Sequence, residues 1–188
     1  MAQTKILIDT SSYFRLAQNI HPLLSTAFGQ ASYTLYPHDA LTREFQRQRR
    51  LQTKFHWFGE AAYVQNRSCS LQLSRAERAA IDQTFEFMWA HVQEEQLGPS
   101  PVDTRILATA SELGLRMVTD DKDLLALGEM YGVHTLTSLE LMKLMLDEKH
   151  IDLDKVRQVV AQWAYDEDEP VNFQSGYKAL FGEEPPTE

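Results

Sequence analysis

A chain of 188 residues, 43% of them hydrophobic and 24% charged, is long enough for one core plus a small appendage, and its composition excludes a disordered protein. One cysteine, Cys69, excludes an internal disulfide and reads as a lone buried thiol. The net charge of −9 argues against a polyanionic partner only if it is evenly spread, and it is not: residues 150 to 188 hold −6 of it, while Arg43, Arg47, Arg49, Arg50 and Lys54 stand against Glu44 alone.

The first predicted element is a short buried strand, Lys5 to Asp9, whose apolar run Ile6-Leu7-Ile8 is far too short for a signal peptide or a membrane span. A cytoplasmic protein with no membrane partner is the expectation. Ser11 and Ser12 can cap a following helix, and Pro22 suits the first turn of another. Ser32 to Tyr36 reads as a second strand, and Asp39 to about Lys54 as one helix with Leu41, Phe45 and Leu51 along one side. The alternation of Cys69, Leu71 and Leu73 suggests a third strand.

Ser74-Arg75-Ala76-Glu77 is a capping box that opens a long helix through Ile81, Phe85, Met88 and Val92, stopped by Gly98-Pro99-Ser100-Pro101. A helix then runs from Val102 to Leu113, with Asp103 in its first turn. Leu115 to Thr119 and Val133 to Leu136 are the last two strands, and Thr137-Ser138-Leu139-Glu140 is another capping box. Strands alternating with helices predict an α/β, three-layer α/β/α fold with a parallel sheet of about five strands. The stripe Ile151, Leu153, Val156, Val159, Val160, Trp163 predicts an amphipathic helix between Asp152 and Ala164 in a C-terminal helical extension.

Four acids fall where strands end or helices begin: Asp9, Glu44, Asp103 and Asp121. In an open parallel sheet such positions converge on one crevice. Crowded carboxylates resist ionising unless a cation offsets them, and an all-oxygen set suits Mg²⁺ or Mn²⁺. Taken singly, each acid has a plainer role as a turn, cap or first-turn residue, and Glu44 as a salt-bridge partner, with Glu60 and Asp39 as alternatives at its place. Asp120 is expected to point to solvent. Phe55, His56, Trp57 and Phe58, beside the basic run, serve either as core or as a stacking surface for single-stranded RNA. The six histidines show no metal-ligand spacing.

The segments Lys5-Ile6-Leu7-Ile8-Asp9-Thr10-Ser11, Thr42-Arg43-Glu44-Phe45, Asp103-Thr104-Arg105-Ile106-Leu107-Ala108-Thr109-Ala110 and Val118-Thr119-Asp120-Asp121-Lys122-Asp123-Leu124 resemble the four acidic motifs of PIN-domain nucleases, over roughly residues 4 to 146. The resemblance, closest to VapC-type toxins, implies a metal-dependent ribonuclease. In it Asp9, Glu44, Asp103 and Asp121 are catalytic and metal-site acids, Asp123 is an auxiliary metal acid, and Ser11 and Thr119 are hydroxyl partners. It also implies a PIN-like domain over residues 1–149 and an acidic extension over 150–188. Expected partners are RNA, through Arg43, Arg47, Arg49, Arg50 and Lys54, a protein inhibitor (antitoxin), and a second copy in a homodimer.

The chain departs from a minimal toxin by an insertion around Phe55 to Arg67 and by its tail, which either docks as a helix, mediates a partner contact, or restrains the site by bringing Asp166-Glu167-Asp168-Glu169 near the basic run. The alternative function is a catalytically inactive PIN-like module that binds RNA or protein.

Overall fold

The structure, a computed structural model, describes residues 3–186. Four parallel strands, β1 (Thr4–Ile8), β2 (Tyr33–Pro37), β3 (Arg116–Val118) and β4 (Thr135–Leu136), lie in the order β2-β1-β3-β4. The first strand made is therefore central, flanked on both edges, and Ile6, Leu7 and Ile8 are all buried because both faces of the sheet are covered. Ile6, Ile8, Leu35 and Val118 pack on one side with α1 (Thr10–Ala17), α8 (Ser138–Asp147), α9 (Leu153–Tyr165) and α10 (Phe173–Phe181). Leu7 and Met117 pack on the other with α5 (Arg75–Glu94), α6 (Pro101–Leu113) and α7 (Lys122–Met130). The result is the expected helix-sheet-helix architecture with extra C-terminal helices.

Several local expectations differ from what forms. The sheet has four strands among the described residues, not about five, because 69–74 is irregular: Leu71 and Leu73 are half-buried side chains with no strand beside them to pair with. Cys69 there is exposed, not buried. No helix begins at Pro22. The helix expected over Asp39 to Lys54 is broken at Gln48, whose extended backbone (φ −112°, ψ 103°) separates α2 (Ala40–Arg47) from α3 (Arg49–Lys54). The insertion continues as a 3-10 turn, His56–Gly59, and α4 (Ala61–Arg67).

Phe55, Trp57 and Phe58 belong to the core, with Phe14 stacked on Phe55 at 4.4 Å and Phe45 on Phe58 at 4.1 Å between centroids. These rings are spent mainly on packing, and of residues 55–58 only His56 is exposed. The capping boxes at Ser74 and Thr137 form as expected. A further box joins Ser100 to Asp103, with Pro101 at the first helical position and Gly114 closing α6 in the left-handed region (φ 60°).

The tail is part of the main core. Val156, Val159, Val160, Trp163, Phe173 and Tyr177 are buried in the same cluster as β1 and α1, and the Trp163 indole N–H donates to the Arg15 carbonyl at 2.9 Å. Among the described residues no helix is long and apolar enough to cross a membrane.

Candidate active site

The order of the sheet reverses at β1, whose neighbours β2 and β3 leave in opposite directions. In such sheets this is where a crevice opens at the carboxyl ends of the strands. Ile8 is in register with Val118, so Asp9 and Thr119, the next residues along, emerge side by side. The Asp9 N–H donates to Val118 O at 3.0 Å, and Thr119 Oγ1 donates to Asp9 Oδ2 at 2.7 Å.

Asp9 also caps α1, accepting from Ser12 N at 2.7 Å through Oδ1 and from Ser11 Oγ at 3.1 Å through Oδ2. The cap is thus Asp9 itself and not Ser11 or Ser12. These donors favour its ionised form, but burial outweighs them and pushes the Asp9 carboxyl up to about 6.

The other three acids reach the same place from different elements. Glu44, on α2, accepts from Thr10 Oγ1; its carboxyl is raised by partial burial and by neighbouring Asp103, against the hydrogen bond. Asp103, in the first turn of α6, accepts from Ser100 N (3.1 Å) and Ser100 Oγ (2.7 Å), both through Oδ2. Asp121 caps α7 through Oδ1, which accepts from Asp123 N and Leu124 N, both at 2.9 Å. All four line one open cavity of about 400 Å³ together with Thr10, Ser11, Arg15, Arg50, Lys54 and Asp168.

The plain and the functional roles of these acids are compatible, because a carboxylate has two oxygens. Hydrogen bonding in Asp103, Asp121 and Glu44 engages one oxygen of each, leaving Asp103 Oδ1, Asp121 Oδ2 and Glu44 Oε1 without a partner among the described residues. Capping fixes the rotamer and presents the second oxygen.

Among the described residues no three acidic, histidine or cysteine side chains stand close enough together to hold a metal ion as placed. The donor set fits a hard cation of the Mg²⁺ type, which keeps several waters and takes only one or two carboxylates directly.

The remaining expected residues separate into two groups. Thr119 is buried behind Asp9 and Ser11 sits at its rim, both within the cavity's supporting shell. Arg50 and Lys54 line the cavity, whereas Arg47 and Arg49 are exposed outside it and Arg43 lines a different one. Asp123 does not line the acid cavity; its carboxylate packs over Gly98. Of the alternatives to Glu44, Asp39 faces the cavity shared with Arg43 and Glu60 is exposed before α4.

Asp120 does not point to solvent. Its side chain is 2% exposed, paired with Arg15 Nη1 at 2.9 Å and accepting from Ser138 N and Oγ at 2.8 and 2.6 Å. Arg15, unmarked in the sequence, links it to the cavity: its Nε donates to Asp168 O at 3.2 Å and its Nη2 to Asp168 Oδ1 at 3.3 Å. Lys54 Nζ lies 3.5 Å from Asp168 Oδ2. The signal that could have found Arg15 is its place on α1, six residues past the strand-end acid and so on the helix that the acid caps. Because Asp120 is buried and pins Arg15, Asp120→Ala is expected to cost about 3–5 kcal/mol in a urea melt by stranding the guanidinium. A loss under about 1 kcal/mol would mean that Arg15 finds water instead.

No protein-family model matches the chain, and no curated protein matches it. Among solved structures it is similar to a chain from the crystal structure of FitAcB from Neisseria gonorrhoeae, with 13% identity and a TM-score of 0.47. The match covers 71% of this chain and 97% of that one. A likeness at that level carries no functional weight.

Proposed function

We propose that the protein is a metal-dependent nuclease, cutting phosphodiester bonds of single-stranded or structured RNA. One observation carries the reading: four carboxylates from four separate segments line a single cavity at the carboxyl ends of β1 and β3. Burial raises the Asp9 carboxyl, and burial with neighbouring Asp103 raises that of Glu44, penalties on ionisation that a divalent cation would relieve.

A bound Mg²⁺ or Mn²⁺ would supply the acidity that activates water and the charge that offsets a phosphate in transition. The chain's residues do the rest. Asp9, held by Ser11, Ser12 and Thr119, and Asp121, held by its own helix, present fixed oxygens to the cation. Asp103 and Glu44 complete the acidic wall, and Arg50 and Lys54 offer cationic contacts to the substrate's phosphates. No side-chain nucleophile is needed. The toxin role, with a protein inhibitor as partner and a homodimer as the assembly, rests on the resemblance of the four acidic segments to VapC-type proteins.

The inactive-module reading draws on the spacing of the acids, no three of which could hold a metal as placed. Cleavage separates the two. Purified protein is expected to cut a labelled single-stranded RNA with Mg²⁺ or Mn²⁺ and to stop when EDTA is added, with the Asp121→Asn variant, prepared in parallel, inactive. Cleavage that survives EDTA, or that Asp121→Asn shares, would sink the nuclease reading; RNA binding without cutting would favour the module.

A further inference from the structure

A second cavity, of about 300 Å³, lies on the far side of α2 and α6 from the acids, at the carboxyl end of β2. The two helices serve both spaces. From α2, Glu44 faces the acid cavity and the adjacent Arg43 faces this one; from α6, Asp103 and Arg105 divide in the same way. Neighbouring side chains on a helix point in different directions, so one wall lines an acidic space and a basic one.

This second cavity also receives Arg78 and Asp82 from α5 and His38 and Asp39 from the turn after β2, so that three arginines stand against two aspartates. Arg105 is engaged, paired with Asp82 at 2.6 Å and lying 4.1 Å over the Phe85 ring. Arg43 and Arg78 form no ion pair among the described residues, although Asp39 shares the cavity and its carboxylate makes no capping bond. His38 Nδ1 accepts from Ala40 N at 3.1 Å, which leaves Nε2–H as the donor of the neutral ring. Burial, with Arg43 and Arg105 adding to it against Asp39, lowers that imidazole to about 4, so it brings a hydrogen-bond donor and no charge at neutral pH.

We propose that this cavity is a phosphate-binding subsite for a nucleotide of the bound strand away from the scissile bond, with Arg43 and Arg78 as its charged contacts and His38 as a neutral donor. The inference deepens the nuclease reading and takes its substrate from it. Two unpaired guanidiniums and one N–H meet in a concave space, and planar guanidinium forks match phosphate oxygens. A strand whose scissile phosphate sits against Asp9 and Asp121 and that runs over α2 or α6 reaches the cavity walled by the other side of the same helices. With a helix about 10 Å across between the two spaces, a phosphate further along the strand then meets the basic wall. The acidic cavity cuts and the basic one sets where along the strand the cut falls.

The test is binding of a fluorescently labelled single-stranded oligoribonucleotide, followed by anisotropy in EDTA across a salt series, to the wild-type chain and to R43Q/R78Q. Both arginines are exposed, and equal thermal melting of the two proteins checks that the variant folds. The variant is expected to bind about tenfold more weakly, and the slope of log affinity against log salt to flatten by about 0.7 for each phosphate that it leaves unneutralised.

Unchanged affinity and slope beside metal-dependent cleavage by the wild-type chain overturn the subsite and leave the nuclease reading standing. Weakened binding by R43Q/R78Q with no metal-dependent cleavage by the wild-type chain overturns the nuclease reading and leaves the cavity as a phosphate site for bound RNA. If inorganic phosphate raises the melting temperature of the wild-type chain only, while RNA binds both proteins alike, the cavity takes a free anion and the proposal is overturned.

Discussion

Asp9→Asn is expected to abolish RNA cleavage and yet to stabilise the metal-free protein. The loss of cleavage should be on the order of a thousandfold, about 4 kcal/mol of barrier, because Asn keeps the shape of the side chain but brings no charge to a cation. The gain in stability follows from the carboxyl's position. Burial raises Asp9 from 3.8 to about 6 in the folded chain, so folding favours its protonated form. Below pH 4 the group is protonated whether folded or not and costs nothing. As pH rises from 4 to 6 the unfolded chain ionises first and the folded state loses stability, reaching a full penalty of about 3 kcal/mol above pH 6.

Asn never ionises and escapes that penalty. The Ser11 and Thr119 hydroxyls that donate to Asp9 Oδ2 can turn to accept from its amide. Urea melts in EDTA should therefore show the two proteins nearly equal at pH 4 and the variant more stable at pH 7. A variant less stable at pH 7, or a difference that does not change with pH, would mean that Asp9 is an ordinary capping acid.

Truncation after Lys149 is expected to leave a chain that does not fold. It removes Val156, Val159, Val160, Trp163, Phe173 and Tyr177 from the cluster that covers one face of the sheet. At about 2 kcal/mol for each buried side chain the loss is about 12 kcal/mol, comparable with the whole stability of a typical domain. A soluble truncated chain with native circular dichroism would show that the tail only rests on the surface.

The restraint idea has to be tested by a point change instead. Asp168 meets Arg15 and Lys54 at the edge of the acid cavity, where an RNA phosphate would compete for Lys54. A half-exposed pair of this kind is worth up to about 1 kcal/mol, so Asp168→Asn should tighten RNA binding by at most about fivefold. Unaltered affinity would make the contact purely structural.

What the chain reveals without coordinates is local chemistry. Ser74 with Glu77 and Thr137 with Glu140 state their helix starts within four residues, and the structure has those starts. The apolar run Ile6-Leu7-Ile8 announces a strand buried on both faces. The four acids are marked by the same punctuation, since each stands at the end of a strand or in the opening turns of a helix.

What it conceals is set by distant partners. Asp120 looks like any acid in a charged turn, and it is buried because Arg15, 105 positions earlier, lies against it. Cys69, Leu71 and Leu73 alternate as a strand would, but no neighbouring strand offers them a ladder. Phe55, Trp57 and Phe58 follow a basic run and are drawn into the core by Phe14. The break at Gln48 is likewise silent in helix propensity. It matters because it sends Arg50 and Lys54 to the acid cavity while Arg43 faces the other one.

The order in which the chain is made bears on when this site can exist. The central strand leaves the ribosome before the other three, but its partner β3 follows more than a hundred residues later, and the Thr119 bond to Asp9 spans 110 positions. The Arg15 carbonyl waits longer still, for Trp163 at a separation of 148. Contacts this far apart close slowly and late. A nascent chain stalled near Lys149 already carries Asp9, Glu44, Asp103 and Asp121, but lacks the apolar surface that holds their scaffold together. Assembly of the acidic cavity is thereby tied to the emergence of the segment beyond Lys149, which supplies the last of that apolar surface.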